Sequence, residues 1–133
     1  MWPLSSIVRH QMGNFLISFE FHTASDWIQS EMFREPIEPQ TTSLYVCAPD
    51  ESSALRWGED IASTFMARVS GDASLSWAAS GYSCWIEASL SEAGWDGAEE
   101  FLQSVRIGEY PDFNRLTRQA WLDWLEKNGD FDA

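Results

Sequence analysis

The sequence predicts an α+β fold, with residues 1–133 forming one domain in which an antiparallel or mixed sheet of about four strands packs on helices. Three observations lead there. Phe15, Ile17, Phe19 and Phe21 alternate with Leu16, Ser18, Glu20 and His22, a period of two that puts four apolar side chains on one face of a strand. Ser43 to Ala48 is a short β-favouring run that leads through Pro49-Asp50-Glu51-Ser52 into an amphipathic helix. Further short patterned segments follow, and no linker or repeat divides the chain.

Residues 1–12 carry no clear pattern, and the first strand lies within Gly13–His22. Thr23 or Ser25 then caps a short helix bearing Trp27, Ile28, Met32 and Phe33. Arg34 to Thr42 holds two prolines and reads as a loop. Leu44, Tyr45, Val46 and Cys47 form an interior strand. Acids at the start of the next helix suit the positive end of its dipole. Leu55, Gly58, Ile61, Ala62, Phe65, Met66 and Val69 recur at spacings of three and four, giving one apolar stripe. Gly71-Asp72 closes that helix.

Leu75–Ala79 and Tyr82–Ser89 read as two strands joined in a hairpin across Ser80-Gly81. Ser91–Gly97 is expected to be a loop, and Ala98–Ile107 a short helix with Phe101, Leu102 and Val105 inside. After the break at Gly108 to Pro111, Asp112 is expected to cap a last helix carrying Phe113, Leu116, Ala120, Trp121, Trp124 and Leu125. Lys127-Asn128-Gly129 ends it. The alternation in the first and last strands fits a sheet with one face in water.

Twenty-one acids against eight bases give a formal net charge of −13 and a pI near 4.2. Such a surface repels phosphate backbones and anionic lipid heads, so direct nucleic-acid or membrane-surface binding is disfavoured. It attracts basic partners, and it also keeps a protein soluble. The N-terminal Met1 to Ser6 lacks the pattern of a signal peptide, and no apolar run is long enough to cross a membrane. Two cysteines do not make a disulfide scaffold. The cytoplasm is the expected compartment.

Signatures of catalysis are missing. The glycines are scattered singly rather than gathered in a phosphate loop, and no Gly-x-Ser-x-Gly elbow occurs. Cys47 and Cys84 have no neighbouring cysteine or histidine, and each reads as a small buried hydrophobe rather than a zinc ligand or reactive thiol. His22, four residues before Asp26, reads as a surface histidine beside a helix start rather than a metal ligand. Glu59-Asp60 and Glu99-Glu100 read as solvated helix faces, since adjacent residues point about 100° apart. No catalytic residue, metal ligand or cofactor is assigned, and the chain is read as a binding protein rather than an enzyme.

One stretch stands out. Glu87, Glu92, Asp96, Glu99, Glu100, Glu109 and Asp112 are set against the single base Arg106, with Trp85, Trp95 and Tyr110 interleaved. Trp95 lies between Gly94 and Gly97, and either folds back onto the core or meets a partner. Aromatic anchors ringed by carboxylates are what a surface for a basic protein needs. The candidate partner-binding residues are therefore Trp85, Glu92, Trp95, Asp96, Glu99, Glu100, Glu109, Tyr110 and Asp112.

Size, acidity, the strand–helix unit from Ser43 to Ala62 and this acidic-aromatic segment together give a profile that resembles bacterial toxin-immunity proteins. The resemblance implies a small cytosolic protein that neutralises a basic partner, such as a nuclease toxin, by occluding its active site. Two other readings stay open at this point: a structural or adaptor subunit of a phage or secretion assembly, and a small-ligand or carbohydrate-binding domain suggested by eight tryptophans.

Overall fold

A computed structural model of the chain describes residues 12–36, 39–69, 76–95 and 97–128. The expected α+β architecture is present. Among the described residues, four strands form one mixed sheet: β1 (Gly13–Phe21), β2 (Gln40–Ala48), β3 (Cys84–Ile86) and β4 (Ser104–Arg106), in the order β3-β1-β2-β4. The β1–β2 and β1–β3 pairs are antiparallel, and β2–β4 is parallel. The helices are α1 (Ala24–Phe33), α2 (Glu51–Val69), the single turn α3 (Leu90–Ala93) and α4 (Arg118–Asn128).

The core follows from two matched periodicities. In register, Phe15 pairs with Val46 and Ile17 with Leu44, so the odd residues of β1 and the even residues of β2 share one face. The stripe of α2 lies on it, with Ala54, Gly58, Ile61, Ala62, Phe65 and Met66 buried. Phe19, Phe21 and Phe65 meet in tilted and edge-to-face contacts with centroids 4.8–6.1 Å apart. Each such side chain contributes about 1.5–3 kcal/mol by leaving water. Asp50 starts α2 by accepting a 2.7 Å hydrogen bond from the Ser53 amide. Gly58 is where helix and sheet come closest: a Cβ there would lie 2.8 Å from Ile17 Cγ2.

Thr23, the first of the two expected caps, begins α1 with a reciprocal box. Its hydroxyl accepts from the Asp26 amide, and the Asp26 carboxylate accepts from the Thr23 amide. Arg34 ends the helix in the left-handed region at φ 53°.

Four expectations need correction. The hairpin at 75–79 and 82–89 does not form from its described residues. Ser76 draws the chain into a 3-10 turn at Ala78–Ser80, closed by Gly81 at φ 77°. Buried Trp77 donates its indole N–H to the Glu20 carbonyl, and β3 pairs with the edge of β1 instead. Leu75 lies outside the described residues. The helix expected over 98–107 is a 3-10 turn (Glu99–Phe101) followed by β4, whose alternation buries Val105 between exposed Ser104 and Arg106. The loop expected at 91–97 contains α3, which Ser89 caps by accepting from the Glu92 amide, and which Gly94 closes at φ 83°. Asp112 caps a 3-10 turn at Phe113–Leu116 rather than the last helix; α4 starts after Thr117, whose hydroxyl accepts from the Ala120 amide.

The face of the sheet away from α2 is also not simply wet. Leu16, Ser18 and Ser43 are buried there, at 6%, 0% and 2% exposure. What covers them brings the chain's candidate site into place.

Candidate functional site

Trp95 folds back onto the sheet. Its indole N–H donates a 2.8 Å hydrogen bond to Ser43 Oγ. Ser18 Oγ lies 2.6 Å from Ser43 Oγ and donates, also at 2.6 Å, to Glu87 Oε2. A hydroxyl has one proton. Since the Ser18 proton is committed to Glu87, Ser43 donates to Ser18. The result is a one-way chain, Trp95 to Ser43 to Ser18 to Glu87, linking four segments and ending on a carboxylate. It satisfies two buried hydroxyls that would otherwise cost about 1–3 kcal/mol each. Trp85 sits opposite Ser18 in register on the same face and is half-buried.

Trp95 is partly buried, and it forms part of the wall of a groove. Phe101 stacks on it at 5.9 Å, and Trp121 meets it edge-on at 5.0 Å. Trp121 in turn stacks on Trp124 at 5.5 Å. The groove holds about 340 Å³, with Gln40, Thr41 and Arg118 among its polar lining. A second groove of about 440 Å³ shares Gln40 and Arg118 and runs on to Asp26, Phe33 and Glu35 beside α1. Beyond it the outer face of α1 carries Ile28, Met32 and Phe33, which are 52%, 69% and 64% exposed.

Tyr110 belongs to a different neighbourhood. It packs on Trp57 of α2 with centroids 4.9 Å apart, and its hydroxyl donates to Asp60 Oδ1 at 2.9 Å. The Trp57 indole N–H donates to the Glu109 carbonyl. The Glu109 carboxylate pairs with Arg106 at 3.1 Å; these hydrogen bonds hold the Glu109 carboxyl below the usual range and push the Arg106 guanidinium up. The Asp112 carboxylate is occupied in its cap, and its backbone makes a reciprocal pair with the Gln103 side-chain amide.

The acidic-aromatic segment is therefore divided by β4. From its first part, Trp85 and Trp95 belong with the sheet face away from α2, and Trp95 also lines the groove. Its last part, with Glu109, Tyr110 and Asp112, returns towards α2. Glu92, Glu99 and Glu100 are exposed. Asp96 lies outside the described residues.

The other titratable candidates are structural. His22 is 2% exposed, not on the surface as expected. Its Nδ1 lies 2.7 Å from the Tyr82 hydroxyl, and its Nε2 is buried without a partner among the described residues. Burial holds the imidazole pKa below its ordinary value, with nearby Asp26 opposing, and burial raises that of Tyr82. Cys84 packs against α2, where burial pushes its thiol up to about 12. Cys47 and Cys84 are both free thiols. No group of three or more His, Cys, Asp or Glu among the described residues is placed to hold a metal. No helix among them is long and apolar enough to cross a membrane.

Sequence reasoning missed the exposure of α1. A signal was present: at about 100° per residue, positions 27, 28, 32 and 33 spread over about 240° of the helix, too wide for one buried stripe. It also missed Trp121 and Arg118 as neighbours of Trp95, since only the tertiary fold brings α4 to that loop. Comparison of the chain with protein-family models, with curated proteins and with solved structures finds no match.

Proposed function

We infer that the chain is a non-enzymatic acidic binding protein that neutralises a basic protein partner, in the manner of an immunity or inhibitor protein directed at a toxin nuclease. The observation that carries this reading is an imbalance left uncorrected by the fold. The chain carries a net charge of −13, and the ion pair Arg106–Glu109 among the described residues cancels one charge of each sign, so it leaves that excess as it is. Glu92, Glu99 and Glu100 stand exposed in the segment that carries Trp95 and Phe101. Such a field attracts a cationic protein and raises its association rate. On the partner, the carboxylates take the place of phosphates opposite Lys and Arg. Two free thiols accord with the cytoplasm as the working compartment.

The test is to capture the basic partner from the native host and compare binding by the native chain and by a triple variant, Glu92→Lys, Glu99→Lys and Glu100→Lys. Association should slow by roughly tenfold or more at low salt, and the difference should shrink as salt is raised. Association unchanged by the triple reversal would refute the electrostatic mechanism.

A further inference from the structure

We propose that the partner seats on the outer face of α1 and the groove between α1 and α4, and that the seated element is a segment of another protein carrying apolar side chains flanked by Lys or Arg. The inference rests on the basic-partner reading and adds the surface to it. Ile28, Met32 and Phe33 are large apolar side chains left more than half in water on one ten-residue helix. Large apolar side chains left exposed together on one short helix mark an interaction site. The surface is not isolated. Phe33 opens into the groove of about 440 Å³, which continues through Gln40 and Arg118 into the Trp95–Trp121 groove of about 340 Å³. A ridge of apolar anchors beside a groove walled by aromatics is suited to receiving side chains from a partner.

Charge selects the occupant. A second copy of the chain would bring another −13 to the same surface. It would also set Asp26 and Glu35 of the groove, and Glu31 of the same helix, against their own counterparts across an apolar contact. Nucleic acid and anionic lipid meet the same repulsion. A cationic segment with apolar anchors satisfies both the apolar face and its acidic surroundings.

The experiment uses the full isotope-labelled chain and three synthetic peptides of roughly 18 residues: an amphipathic Leu/Lys peptide, the same pattern in Leu/Glu, and a Ser/Lys peptide of equal charge without apolar anchors. The Leu/Lys peptide should shift backbone resonances of α1, of Gln40 and Thr41, and of the start of α4. Met32→Ser with Phe33→Ser should weaken it by about tenfold or more, as expected on losing anchor contacts. Both positions are exposed, and unchanged thermal unfolding checks that the variant folds. The Ser/Lys peptide should bind as weakly to the native chain. Shifts centred instead on Trp57 and Tyr110 would overturn this surface while leaving the basic-partner reading standing. Equal binding of the Leu/Glu peptide at α1 would leave the surface standing, but it would overturn the cationic occupant and the reading beneath it. Self-association abolished by Phe33→Ser would show that the occupant is a second copy, and would likewise overturn the proposal.

Discussion

Replacing Gly58 with Ala tests how closely α2 lies on the sheet. In an exposed helix interior the change stabilises by about 0.5–1 kcal/mol, because alanine leaves the unfolded chain less freedom to lose. At Gly58 the geometry opposes that gain. The new Cβ would sit 2.8 Å from Ile17 Cγ2 and 3.1 Å from Cys84 Sγ. Carbon atoms attract best at about 3.5–4.0 Å, so the first contact is too short by about 0.7 Å or more. Ile17 is fully buried on a central strand, and its β-branched side chain has little freedom about χ1. Helix and sheet must part slightly, and overpacking of this kind costs about 1–3 kcal/mol. The net loss is about 0–2.5 kcal/mol, seen as a lower urea midpoint with an unchanged slope. The Ile17→Ala background decides the cause. It removes Cγ2 and leaves the Ile17 Cβ position at 3.8 Å, an ordinary contact. In that background Gly58→Ala should lose most of its penalty, giving a coupling of about 1 kcal/mol or more in a double-mutant cycle. Gly58→Ala that stabilises the native chain, or costs the same in both backgrounds, would refute the close-approach argument.

Two further outcomes follow from buried groups. His22 is held neutral by burial, so its folded pKa lies below the ordinary 6.5 and the unfolded chain binds the proton first. Stability should therefore fall as pH drops from about 6.5 towards the folded pKa, and level off beneath it. Thermal unfolding from pH 7.5 to 5 should show this slope in the native chain and lose it in His22→Gln; equal slopes in both would refute the assignment. Glu109 and Asp50, whose carboxyls are held low by hydrogen bonds, lose stabilisation only at more acid pH. Cys84, with its thiol pushed up to about 12, should resist alkylation at pH 8 until the chain is unfolded, whereas ready labelling of the native Cys47→Ser variant would show the thiol to be accessible.

The segments legible in the sequence are those whose pattern is local and long. β1 runs nine residues, so its period of two repeats often enough to be unmistakable, and β2 shows as the β-favouring run Ser43 to Ala48, although it begins three residues earlier, at Gln40, inside the expected loop. α2 runs nineteen residues and shows its stripe five times over. Its starting aspartate and the Thr23 cap of α1 act within three residues of themselves, and their chemistry is visible in the string. Net charge is likewise a sum over letters. These elements were enough to establish an α+β fold and an acidic surface.

β3 falls within the strand expected over Tyr82–Ser89, but its pairing with the edge of β1 is not written in its letters; β4 is three residues, too short for a period to register, and forms on the open edge of β2. Residues 98–107 carry apolar spacings that suit a helix; pairing with Tyr45 to Cys47 outweighs that weak local preference. The destination of Trp95 is set by a hydroxyl 52 positions away, and that of Tyr110 by a carboxylate 50 positions away. Neither partner can be read from the neighbouring letters. The same holds for α1, where Ile28, Met32 and Phe33 look like core in the sequence and stand more than half in water in the fold. Composition and periodicity are local properties, and they determined the fold class and the sign of the surface. Which aromatics are enclosed, which carboxylates are already occupied, and where the apolar groove lies depend on contacts between distant segments, and these only the tertiary structure decided.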